Sequence, residues 1–254
     1  MLSVNTWAVR GARAAARIVL FVALAAVVAL GAVSCDRPRA AVVVDARRVL
    51  FVGNSLTTAI DLPSMVHSLS AGVGARIECQ TIAFPGFSLE DHWNRGDAAR
   101  AIASGGWIAV VLQQGPSALP ESRVLLVEYA RRFDALVKRA GARTALYMVW
   151  PAATRSADFD AVSASYAAAA REVKGLLLPA GDAWRAAWRR DSTLALYGAD
   201  GFHPSEEGSY LAALVIYARL SERSPIGLPA LGLSSARAAL LQEAAEEVVK
   251  NSRR

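Results

Sequence analysis

The chain is poor in the residues on which many sites are built. Only two cysteines, Cys35 and Cys79, occur among its 254 residues, so a disulfide-stapled scaffold and a multi-cysteine zinc centre are excluded by counting. Imidazole is nearly as scarce. His67, His92 and His203 are the whole supply, and any mechanism that needs a histidine base must choose among them. Three motifs are missing outright: the HExxH zinc helix, the GxxxxGKS/T phosphate loop and the GxSxG nucleophile elbow. The stretch GVGAR at 72–76 precedes an expected strand instead of opening a helix, so it is no dinucleotide fingerprint.

Acidic residues are absent from the first 34 positions, which carry Arg10, Arg13 and Arg17. This segment accounts for half of the formal charge of +6, and without it 25 basic residues face 22 acidic ones. No dense basic run with interleaved aromatics occurs elsewhere, so the footprint of a nucleic-acid-binding protein is missing and no nucleic-acid partner is expected. With 54% hydrophobic and 20% charged residues, the composition is that of a globular chain with one sizeable core.

After the three arginines comes an uncharged apolar run of 16 residues at 18–33, IVLFVALAAVVALGAV. It is shorter than the ~20 residues a spanning helix needs, and it ends in small residues before Cys35. The segment resembles a bacterial lipoprotein signal, with Ala32, Val33 and Ser34 in the positions before the lipidated cysteine and Ala32 standing where leucine is usual. The expected organisation is a signal at 1–34, a tether at 35–47 with the lipid on Cys35, and one domain at 48–254. An uncleaved anchor helix is the alternative, and both readings export the domain to the cell envelope and tie it to a membrane. Cys79, with apolar neighbours, reads as a buried structural thiol.

From residue 48 onward, short β-rich apolar runs alternate with helical stretches, the pattern of a parallel sheet covered by helices. Strands are expected at 49–52, 77–82, 108–112, 145–149 and 176–178. The clearest helices are 122–140, with Val124, Val127, Phe133 and Val137 among its apolar positions, then 158–174, 204–220 and 234–249. No internal repeat is found. In such α/β sheets ligands bind beyond the carboxyl ends of the strands.

Those ends carry Gly53, Asn54 and Ser55 after the first strand, Gly86 after the second, Gln113 and Gln114 after the third, and Trp150 after the fourth; Asp200 and His203 come late, just before Pro204. A serine needs a base to take its proton, and the base needs a partner to orient it. Ser55, His203 and Asp200 can fill those roles. An attacked carbonyl also needs donors for its developing oxyanion, and the N–H groups of Ser55 and Gly86 with the Gln113 amide are the candidates. Asn54, Trp150 and His92 are candidate substrate contacts, and His67 reads as a helix-face residue.

In this order, GNSLT, a lone glycine, LQQGPS and DGFHP resemble the SGNH/GDSL hydrolase superfamily over roughly residues 49–220. The resemblance implies a flavodoxin-like three-layer α/β/α fold with a five-stranded parallel sheet. It implies Ser55 as nucleophile, His203 as base, Asp200 as orienting acid and Gly86 as an oxyanion donor, with no metal or organic cofactor. Two positions depart from the pattern: Asn54 stands for the usual aspartate, and glutamine stands for the usual asparagine of the third motif, with Gln113 preferred over Gln114. The expected activity is cleavage of a carboxylic ester on a small molecule or an envelope glycan. The alternatives are an acyltransferase and a catalytically silent glycan-binding lipoprotein.

Overall fold

The computed structural model describes residues 47–252. The expected signal, the lipid-bearing Cys35 and all of the tether except Arg47 lie outside the described residues. In chain order the elements are β1 (Arg47–Gly53), α1 (Ser55–Thr58), α2 (Leu62–Ala71), β2 (Ile77–Ala83), α3 (Leu89–Arg95), α4 (Asp97–Ala103), β3 (Ala109–Leu112), α5 (Pro120–Arg139), β4 (Arg143–Met148), α6 (Phe159–Val173), β5 (Leu176–Pro179), α7 (Ala180–Arg190), α8 (Glu206–Ser221) and α9 (Ser235–Asn251). A short 3₁₀ segment, Ala153–Asp158, leads into α6.

All strand pairs are parallel and the order is β2-β1-β3-β4-β5, the flavodoxin-like arrangement. The central strands are buried on both faces, which is why they read as unbroken apolar runs such as AVVL in β3. β2 lies at the edge and carries half-exposed residues. The helices form two sets by mutual packing, α3 with α5 and α4 with α5 and α5 with α6 in one, α2 with α8 and α8 with α7 and α9 in the other. α8 is buried almost all round, from Gly208 to Ala218, so it has no polar stripe.

α5 differs from its expected pattern in two respects. It begins two residues early, with Pro120 in its first turn, and Val124 is 64% exposed. The face it buries is Leu126, Tyr129, Ala130, Phe133 and Val137, a proper 3.6-residue stripe that Val124 does not join. Among the described residues no helix is long and apolar enough to cross a membrane.

Because β1 is flanked by β2 on one side and β3 on the other, the winding reverses there, and a crevice opens beyond the carboxyl ends. The turns after β1, β2 and β3 converge on it.

Candidate active site

Ser55 is the first residue of α1, directly after the buried strand β1 and its cap Asn54. Its hydroxyl lies 2.9 Å from Nε2 of His203, and Nδ1 of the same ring lies 2.5 Å from Oδ2 of Asp200. A carboxylate only accepts, so Nδ1 carries the proton, and the Nε2 lone pair is left to accept from the serine hydroxyl. The other carboxylate oxygen of Asp200 accepts the backbone N–H groups of Phe202 and His203 at 3.0 and 2.9 Å. The hydrogen bond from His203, with those two backbone donors, holds the Asp200 carboxyl down at about 2. Ser55, Asp200 and His203 are thus brought together from positions 148 residues apart.

Two backbone donors stand beside this chain of hydrogen bonds. As the first residue of a helix, Ser55 has no intrahelical acceptor for its N–H, and neither it nor the Gly86 N–H donates to a partner among the described residues. Both residues line one cavity of about 400 Å³. Gly86 has φ of +74°, a conformation that a side chain would strain.

The Gln113 amide does not join them. Gln113 is 1% exposed, and its Oε1 accepts the Asn54 N–H and the Thr57 hydroxyl, both at 2.8 Å. An N–H can only donate, so the amide orientation is fixed, and both Nε2 protons then go to Asn54 Oδ1 at 2.9 Å and to the Gln114 carbonyl at 2.6 Å. No proton remains for an oxyanion. Gln113 is a buried clamp beneath the serine turn, which corrects the expectation that it donates to the substrate. Gln114 is equally occupied, its Nε2 held by Ser117 and the Ser122 carbonyl and its Oε1 by the Leu89 N–H. Gly53 makes the clamp possible, since a Cβ there would stand 2.5 Å from both Gln113 Oε1 and Thr57 Oγ1.

His92 and Trp150 are also corrected. His92, expected at the rim, is 1% exposed on α3, with Nε2 donating to the Gly53 carbonyl at 2.7 Å. Its ring meets Phe84 and Phe87, the residues on either side of Pro85 and Gly86. Burial pushes its imidazole below the ordinary value, against the opposing pull of the Gly53 hydrogen bond, and Nδ1 has no partner. Trp150 is fully buried and stacked on Trp184 at 3.6 Å. Its indole N–H donates to the Phe202 carbonyl at 3.0 Å, so it steadies the Asp200–His203 loop from below.

Asn54 does line the cavity, yet its amide is engaged with Leu56, Gln113 and Phe87. His67 lies on α2 with Nδ1 donating to the Ile77 carbonyl. Burial first, then Glu78 and Asp61, pushes the Cys79 thiol up to about 12, which keeps it protonated and inert at neutral pH. Sequence reasoning gave no role to Phe202 and Phe87, which wall the cavity; Phe202 stands inside DGFHP and Phe87 directly after Gly86, so their nearness to these motifs was the signal available. Among the described residues no cluster of His, Cys, Asp or Glu is placed to hold a metal ion. A cavity of about 440 Å³ by α7 and α9 lies apart from Ser55, and its Arg189 is paired with Glu247.

No protein-family model and no curated protein sequence matches the chain. Solved structures do. A protein from Slackia heliotrinireducens assigned to the SGNH hydrolases is 31% identical, over 69% of this chain and 99% of that one, with a TM-score of 0.58. A DUF4886 family protein from Bacteroides uniformis is 18% identical, over 81% and 95% of the two chains, with a TM-score of 0.71. An acetyl-xylooligosaccharide esterase from Geobacillus Stearmophilus is 17% identical, over 68% and 94%, with a TM-score of 0.52. The last two likenesses are likenesses of fold.

Proposed function

Because the chain belongs to the SGNH hydrolase superfamily and is an ester hydrolase, we propose that it cleaves a carboxylic ester through an acyl-enzyme on Ser55. The observation that carries this reading is the unbroken hydrogen-bonded chain from Asp200 through His203 to the Ser55 hydroxyl. His203 Nε2 takes the hydroxyl proton as Ser55 Oγ bonds to the carbonyl carbon. The tetrahedral oxyanion is met by the N–H groups of Ser55 and Gly86. Collapse breaks the bond to the alcohol oxygen, which leaves with the proton from Nε2. Water then repeats the sequence on the acyl-serine and frees the acid. Asp200, ionised far below neutral pH, keeps the imidazole in the right tautomer and stabilises its charged form.

The reading extends to place and substrate. The N-terminal pattern supports export with lipid on Cys35, which labelling with a fatty-acid analogue tests. Export in turn supports an ester on an envelope or extracellular glycan, either O-acetyl or a longer acyl group. The main test is Ser55→Ala: ester hydrolysis and labelling by a fluorophosphonate probe should both vanish in a protein whose melting temperature is unchanged. Normal turnover in a folded Ser55→Ala protein would overturn the mechanism. Product analysis with a glycan acceptor separates hydrolysis from acyl transfer.

A further inference from the structure

The cavity beside Ser55 does not end at the oxyanion donors. It shares Pro116, Ser117, Ser122 and Phe202 with a second cavity of about 230 Å³, so the two form one crevice. Its walls are the rings of Phe87, Pro116 and Phe202 with the side chain of Leu125 in the first part, and Leu119 and Pro151 in the second. Among the described residues, Leu119, which lines the second part, is 51% exposed, and Val124, further along the same segment, is 64% exposed. Leu119 thus adds exposed apolar surface to the second part of the crevice.

Most of the polar side chains in the crevice already have partners. Ser88 donates to Asp91, Ser117 to the Gly115 carbonyl and Ser122 to the Leu119 carbonyl. The Gln114 amide has spent both its protons on Ser117 and Ser122. Arg155, at the far end, is paired with Asp158 at 2.6 Å. A row of sugar hydroxyls would find few free partners here, and a hydroxyl that gives up water without a partner is penalised. A hydrocarbon chain gives up nothing. The alcohol oxygen takes its proton from His203 Nε2, so the alcohol lies on the His203 side of Ser55; His203 lines neither part of the crevice, and the half of the ester that enters it is the acyl chain.

We infer that the crevice takes the acyl half of the ester as an apolar chain longer than acetyl, since a cavity of about 400 Å³ walled largely by apolar side chains adjoins the oxyanion donors. This rests on the proposed acyl-enzyme at Ser55 and decides between its two acyl classes in favour of the longer. Leu125 lines the first part, where a larger side chain takes up room that the acyl chain needs, and the alcohol leaves on the His203 side.

The test is the full chain against p-nitrophenyl acetate, butanoate, hexanoate, octanoate and decanoate. Each buried methylene should raise kcat/KM about fourfold until the crevice is full, with the maximum at butanoate or a longer chain. Leu125→Trp, which fills the first part, should move the maximum at least one step toward acetate. A maximum at acetate followed by a steady fall in the unaltered protein overturns the acyl-chain assignment and leaves the hydrolase standing. A maximum beyond acetate that Leu125→Trp does not move overturns the location. No turnover of any ester by the folded protein overturns the acyl-enzyme reading itself.

Discussion

The two walls of the crevice are held in opposite ways. On one side the turn after β1 and the loop after β2 rest on buried polar groups: Gln113 and His92 are each 1% exposed, and every proton of the Gln113 amide is spent inside the protein. On the other, the side chains of His203 and Asp200 are 36% and 52% exposed and are tied by a turn of only four residues. The first wall holds groups that must not move, and low dielectric with full hydrogen bonding makes it stiff. The second must pass protons to and from an alcohol and a water, and it is left where water reaches it. Removing a group from the first wall should therefore cost stability together with rate, and removing one from the second should cost rate alone.

The largest expected effect belongs to the exposed wall. In Asp200→Asn the side-chain oxygen can still accept the N–H groups of Phe202 and His203, so the turn survives. The amide, however, presents a donor to Nδ1, which moves the ring proton to Nε2 and turns the lone pair away from Ser55. A fall in kcat of about 10³–10⁴ is expected, with a melting temperature within a few degrees of the parent. A comparable loss of stability would show that the second wall is structural as well, and the contrast would collapse.

Gln113→Ala attacks the buried wall. It strips partners from the Asn54 N–H, the Thr57 hydroxyl, Asn54 Oδ1 and the Gln114 carbonyl, and unsatisfied buried groups each cost about 1–3 kcal/mol. Partial relaxation leaves an expected loss of roughly 2–4 kcal/mol, read as a fall in Tm of about 5–15 °C, with kcat down about tenfold to a hundredfold through the loosened turn and KM little changed. If kcat falls at constant Tm, the amide acts on the oxyanion directly and the clamp is wrong.

What the sequence discloses follows the same division. The strands, the sheet class and the residues at the strand ends are legible because burial on both faces writes unbroken apolar runs, and because Ser55, Asp200 and His203 stand beside recognisable turns. The direction of the Gln113 amide is not legible. Alternation along an extended segment predicts that Gln113 and Gln114 point to opposite sides; Gln113 is held beneath the serine turn, while Gln114 lines the cavity with its amide protons already taken by Ser117 and Ser122. Trp150 misleads for a related reason: a strand end predicts nearness to the site, and stacking on Trp184 buries the ring one layer beneath it. α7 escapes notice because the face it buries is made largely of alanine and one tryptophan, too small a payload to stand out among its arginines.

The smallest expected effect concerns the buried histidine of the first wall and sharpens the comparison through pH. His92 donates through Nε2 to the Gly53 carbonyl, which also accepts the Phe84 N–H at 3.2 Å. One donor therefore remains in His92→Phe, and the new ring can still pack against Phe84 and Phe87. A drop in kcat of roughly threefold to tenfold at unchanged KM is the expected cost of the lost hydrogen bond. The stability profile is the more decisive reading. Burial lowers the folded-state pKa of His92 beneath the ordinary imidazole value, so below about pH 6.5 the unfolded chain binds a proton that the folded chain resists. Stability contributed by the neutral ring is thus fully present above that pH and is lost as pH falls toward the folded pKa. The carboxyl of Asp200, held at about 2, contributes nothing to this window, because it is ionised in the folded and unfolded chain alike down to about pH 5. Melting curves between pH 7.5 and about pH 5 should therefore fall less steeply for His92→Phe than for the parent. Parallel slopes would mean that the ring accepts its proton without cost, and that this part of the first wall is as open to water as the second.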